Sequence, residues 1–162
     1  MLETKRSASL VTLATIVVAG LASAAMPAGA APADDACAYL TKADAATALG
    51  EGVTQSEKKS GLPMGPGMTA SSCGYTGSGY HKIQLNLMRL TPETAAMYKA
   101  MCAQKGKEGL TGLGETACWY NDEHEELQVL IGTTFLSIEL RGLKNPTEPI
   151  KVAAKSVFAR LK

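Results

Sequence analysis

The chain has 162 residues, of which 46% are hydrophobic and 19% charged, with a formal net charge of +1. That is enough apolar material for one buried core and excludes a chain that stays unfolded. Taking Glu3, Lys5 and Arg6 out of the 15 acidic and 16 basic residues leaves 14 of each; this balance argues against nucleic acid as a partner, and the sequence holds no polybasic patch for anionic lipid.

Residues 1–30 read as a signal peptide. Lys5 and Arg6 form a basic start, residues 10–21 an apolar run, and Ala28-Gly29-Ala30 an A-x-A site with cleavage before Ala31. Ala22-Ser23-Ala24 is a competing site. The apolar run is short for a retained anchor and Pro27 follows it, so no transmembrane anchor is expected after cleavage. No lipobox cysteine follows, and Lys5-Arg6 departs from a twin-arginine signal. The chain is therefore expected in the periplasm or outside the cell. Residues 31–36 are expected to be a disordered leader and residues 37–162 a single domain.

All four cysteines, Cys37, Cys73, Cys102 and Cys118, lie beyond the leader. An even number in an exported chain reads as disulfides. Of three possible pairings, Cys37–Cys73 and Cys102–Cys118 are expected, because each joins a helix-proximal residue to the next strand. By the chain-entropy model each contributes about 3–4 kcal/mol. The spacing suits neither a C-x-x-C redox pair nor a zinc site.

In chain order, Thr41 reads as an N-cap with Asp44 at the capping-box position and Gly50 past the last turn. Residues 53–57 suggest a short edge strand, and residues 58–69, dense in Gly and Pro, a loop. Residues 71–76 and 81–90 read as a hairpin around Gly77-Ser78-Gly79, with Ile83, Leu85 and Leu87 facing inward. Thr91 caps a second helix with Pro92 at its first position, Met97 and Met101 belong to its buried side, and Gly106 ends it.

The clearest periodicity lies between residues 109 and 140. After the glycines Gly109, Gly112 and Gly114, residues 116–120 read as a strand, residues 121–124 as a polar turn, and residues 125–131 as the next strand. Gly132-Thr133 suits a type II′ hairpin loop. That loop sets Ile131 opposite Thr134, Val129 opposite Leu136 and Leu127 opposite Ile138, all on one face. Asn145 then caps a closing helix, with Glu148 at its third position and Ile150, Ala153, Ala154, Val157, Phe158 and Leu161 as its buried stripe. These elements predict an α+β fold: one antiparallel sheet of about five or six strands flanked by three helices.

An early Cys before a small helix, a second Cys in the C-x-Y strand Cys73–Tyr75, a GLGETA lead-in to strands and a closing amphipathic helix form a pattern. It resembles small exported bacterial proteins of unknown function. Many of these are actinobacterial lipoproteins with a PsbP-like α+β fold. The resemblance implies this fold and supplies no catalytic residue. The chain departs from it in lacking the lipobox Cys.

Candidate sites are few. Met64 and Met68 are soft thioether donors, and with His81 or Met88 they could hold Cu(I); the plainer reading is an ordinary surface loop. His124 stands among Asp122, Glu123, Glu125 and Glu126 as a second metal candidate, against a solvated turn that guards a sheet edge. Tyr75, Tyr80 and Tyr120 suggest an exposed aromatic patch for a partner, and Trp119 a core residue. With two histidines and no nucleophile motif, the sequence points to a non-catalytic envelope binding module that uses no cofactor. Its partner would be another envelope or secreted protein. A periplasmic copper carrier is the alternative, and a hydrolase with an unrecognised site a weaker one.

Overall fold

Four helices and six strands follow one another along residues 35–105 and 110–161, the residues that the computed structural model describes. The expected signal peptide, the leader up to Asp34, Gly106 and Gly109 lie outside the described residues.

Helix α1 (Ala36–Tyr39) opens where Asp35 caps it, accepting a hydrogen bond from the Cys37 N–H at 3.0 Å. Ala36, the last residue of the expected disordered leader, is instead fully buried in helix α1. Helix α2 (Lys42–Leu49) has the expected capping box. The Asp44 N–H donates to the Thr41 hydroxyl, the Thr41 N–H donates to the Asp44 carboxylate, and Gly50 closes the helix in the left-handed region.

Strand β1 (Thr54–Gly65) corrects the expected loop. Its twelve residues pair antiparallel with β2 (Met68–Thr76) through a tight turn at Gly65-Pro66-Gly67. Of its three register shifts, one falls at Ser56 and the other two take up Gly61 and the Pro63–Gly65 stretch. Bulges, Lys58, Lys59 and Pro63 are the devices that blunt an exposed edge. Strand β3 (Lys82–Arg89) pairs with β2 as expected. Helix α3 (Pro92–Ala103) starts from its Thr91 cap.

Strands β4 (Thr116–Trp119), β5 (Glu126–Ile131) and β6 (Thr134–Arg141) complete one antiparallel sheet of order β1-β2-β3-β6-β5-β4. The β5–β6 register is the one the alternation predicts, and Gly132 takes the positive φ of 56° that the hairpin loop needs. Helix α4 (Thr147–Leu161) begins two residues after Asn145, with the Ile150 N–H donating to the Pro146 carbonyl. Both disulfides form as expected, Cys37–Cys73 and Cys102–Cys118.

The sheet has two unlike faces. On one, Leu85, Ile138, Leu127 and Trp119 stand in a row under α1, α2 and α4, fully or almost fully buried. On the other, α3 alone packs among the described residues. It crosses from the end of β3 to β4, where Cys102 bonds Cys118, and rests on Leu90, Leu130 and Phe135. Tyr98 packs its ring 4.4 Å from that of Phe135. No other helix among the described residues covers that face.

One ion pair ties α2 to α4. Arg160 donates to both Asp44 oxygens, at 2.8 and 3.2 Å, and to the Tyr39 carbonyl at 2.9 Å. Burial of Asp44 pushes its carboxyl up, but hydrogen bonds from Thr41 and Arg160 outweigh this and hold it below the usual range. Arg160→Ala is expected to cost about 1–3 kcal/mol by urea unfolding at neutral pH. Because folding depresses this pKa, the stabilisation is complete above the unfolded value of about 4 and is lost as pH falls through the folded value. The wild type should therefore lose stability more steeply than the variant below about pH 4.

Candidate functional site

The uncovered part of the helix-poor face is a groove of about 640 Å³. Its floor follows from strand alternation. Register sets Lys59, Ser72, Asn86, Ser137 and Gln128 side by side across β1, β2, β3, β6 and β5. One step along the strands lie Glu57, Gly74, Gln84, Glu139 and Glu126. One step the other way the row turns apolar, with Leu62, Ala70, Met88 and Phe135. Tyr98 and Met101 of α3 overhang that side, Met64 stands at the β1 end, and Tyr120 stands at the β4 end.

The floor is cross-bonded. Ser72 donates to Glu57 at 2.7 Å and Ser137 to Glu126 at 2.7 Å. Gln128 donates to Glu126 at 3.1 Å, and Gln84 to the Asn86 carbonyl oxygen at 2.9 Å. The two carboxylates differ. Ser72, then Lys59 at 3.3 Å and Lys82 at 3.9 Å, hold Glu57 below the usual range against its partial burial. A Cβ at Gly74 would press on β1, 3.2 Å from Ser56 Oγ and 3.3 Å from Glu57 Cβ, so glycine leaves Glu57 unhindered there. Glu126 has no cation at ion-pair distance among the described residues.

The structure divides the residues singled out from sequence. Met64 is 58% exposed and lines the groove together with Met88 and Met101. Met68 instead packs beneath α3, its sulfur 3.9 Å from the Thr94 hydroxyl. Met97 and Met101, expected in the core, are both exposed. All five methionines among the described residues thus belong to the helix-poor face or to α3.

His81 is not near them. It lies at the opposite end of the β2–β3 ladder, roughly 25 Å away by strand rise. There its Nδ1 sits 2.7 Å from Glu51, which also accepts from the Ser78 hydroxyl. His124 stacks on Trp119 at 4.5 Å, with Nδ1 3.4 Å from the Thr147 hydroxyl, in a left-handed backbone (φ 56°). The acidic turn is held by its own Asn121, whose side chain accepts from the Glu125 N–H. No group of three or more His, Cys, Asp or Glu side chains converges on one point among the described residues. The sets Met64–Met68–His81 and His124 with its turn are therefore not assembled.

The tyrosine patch is corrected as well. Tyr75 is only 5% exposed, in the core beside the first disulfide, and burial pushes its phenol up. Tyr80 is 94% exposed, but on the β2–β3 turn. Of the three only Tyr120 lines the groove, with Lys105 over its ring at 4.7 Å. Trp119 is buried as expected.

The floor residues went unread in the sequence because each is an ordinary outward position of its own strand. Their signal was jointly present: polar residues at alternate positions of three central strands, where a helix-covered face would be apolar. Comparison with protein-family models, with curated proteins and with solved structures found no match for this chain.

Proposed function

We propose that the chain is a non-catalytic exported binding module whose partner, another envelope or secreted protein, is held in the groove of the helix-poor face. One observation carries the reading: exposed Leu62, Met64, Met101 and Tyr120 surround a floor of cross-bonded polar side chains. Flexible thioethers adapt to a partner's shape, and a fixed polar floor gives direction. The two disulfides support an oxidising compartment, the periplasm or the exterior. Of the three serines that line the groove, Ser72 and Ser137 donate to carboxylates and Ser71 is buried, and neither histidine lines it, which leaves little support for a hydrolase.

A second reading, a Cu(I) carrier, draws on Met64, Met88 and Met101 lining one groove, now without His81. A photo-crosslinking residue at Met101, and another at exposed Val152 of α4, separates the readings. The binding module gives discrete protein adducts in the envelope from position 101 and none from 152. Equal labelling from both positions would count against the groove. A purified chain whose Met64, Met88 and Met101 methyl signals all move with Cu(I), and which gives no adduct, would put the carrier first.

A further inference from the structure

We infer that the groove takes an extended polypeptide segment that lies across the strands and carries a lysine or arginine against Glu126. The inference rests on the groove being the binding site and names what fills it.

Three observations lead there. The first is length. From Lys59 to Gln128 the floor crosses five strands, about 19 Å at the usual strand spacing. That matches about six extended residues. Helix α3 runs the same way, from the end of β3 to β4, and so walls the strip along one side. A strand added edge-on would instead need β1, whose bulges and lysines oppose it, or β4, which is only four residues long.

The second is the pattern of unused hydrogen bonding. Gln84 occupies the Asn86 carbonyl oxygen, which leaves the Asn86 amide nitrogen as a donor at mid-floor. Ser72 and Ser137 spend their single protons on Glu57 and Glu126 and keep oxygen lone pairs as acceptors. Gln128 donates to Glu126 and keeps its carbonyl oxygen. A central donor flanked by acceptors is the complement of a peptide backbone, which offers both in alternation.

The third is charge. Glu57 is compensated by Lys59 and Lys82, whereas Glu126, at the other end and similarly half-buried, has only neutral donors among the described residues. A carboxylate partly withdrawn from water beside Tyr120, whose N–H donates to the Glu126 carbonyl, favours a cation over a neutral ligand. A basic side chain supplies one, and its aliphatic stem can lie along the Tyr120 ring.

The experiment is a double-mutant cycle. A fluorescein-labelled octapeptide of alternating apolar and polar residues with one Lys, and its norleucine counterpart, are titrated by anisotropy against the full oxidised chain and Glu126→Gln. The Gln keeps an oxygen for Ser137, and equal melting temperatures confirm that the variant folds. The Lys peptide should bind best. Norleucine and E126Q should each weaken binding about tenfold, and together no more than either alone. Asn86→Leu, which removes the donor without touching charge, should weaken both peptides alike.

Equal affinity of the two peptides, or no effect of E126Q, overturns the basic contact. No peptide binding while position 101 still cross-links a protein overturns the extended segment but leaves the groove standing. Loss of both removes the groove reading itself. Groove methyl signals that respond to Cu(I) and to no peptide assign the site to the metal and overturn the inference.

Discussion

Replacing both Cys37 and Cys73 by alanine should lower the unfolding free energy by about 4 kcal/mol, because their bridge closes a span of 36 residues. A domain of this size is stable by about 5–15 kcal/mol, so the loss is a large share of the whole. It should appear as a fall of about 10–15 °C in the melting temperature. The local structure argues for the full effect. Helix α1 has four residues, too few to hold together alone. What fixes it is the bridge to β2 and the burial of Ala36, Tyr39 and Leu40 against the main core. The Cys37 sulfur also lies 4.0 Å from the Glu57 carbonyl and accepts from Gln55 at 3.3 Å, so the bridge steadies β1.

That coupling separates the two disulfides by function. The Cys102–Cys118 bridge closes a shorter span of 16 residues, and its removal should cost about 3 kcal/mol. It frees the far end of α3, the groove wall that carries Tyr98 and Met101. Removing Cys37–Cys73 loosens instead the β1 end, with Glu57, Lys59 and Leu62. Urea unfolding of the two double variants, with and without reductant, measures both costs. A loss below about 1 kcal/mol for Cys37/Cys73 would mean that α1 stays docked without its bridge.

The parts of this fold legible in the sequence are those where one local rule dominates. The β5–β6 hairpin could be read to the residue because Gly132 fixes the turn and a one-residue slip would expose Leu136 and Ile138. The pairing of the cysteines followed from which elements they flank. Strand β1 was hidden because its Gly61, Pro63 and Gly65 are loop residues by composition. Only the pairing with β2 makes it a strand, and its bulges absorb the misfits. Met97 and Met101 misled because helical spacing marks a face without saying what covers it. The groove was hidden for the reason that makes it a site: it exists only when five strands stand in register, so no single segment carries it. Tyr75 shows the converse, since alternation in β2 places it with Cys73 on the helix-covered face.

Trp119→Ala should be the most damaging single change, costing about 3–5 kcal/mol. Trp119 is 2% exposed at the end of the row that runs through Leu127, Ile138 and Leu85. Its strand β4 is a short edge element of four residues with one strand neighbour, β5. The side chain therefore supplies much of what keeps β4 on the sheet. It is also the platform for His124, whose ring lies 4.5 Å away and whose left-handed backbone is costly for a residue with a Cβ. Without the indole, the turn keeps its Asn121 hydrogen bonds but loses the ring on which His124 rests, and Tyr120, one residue beyond Trp119 at the groove's end, loses support with it. The loss should thus reach the groove as well as the core. Trp119 is the only tryptophan in the chain, so unfolding of the variant is followed by far-UV circular dichroism rather than fluorescence. Trp119→Phe keeps a ring for both Leu127 and His124 and should recover more than half of the loss. If Ala costs under about 1 kcal/mol, β4 is held by the Cys102–Cys118 bridge alone; if Phe is no better than Ala, the indole nitrogen rather than the ring area is what the site requires.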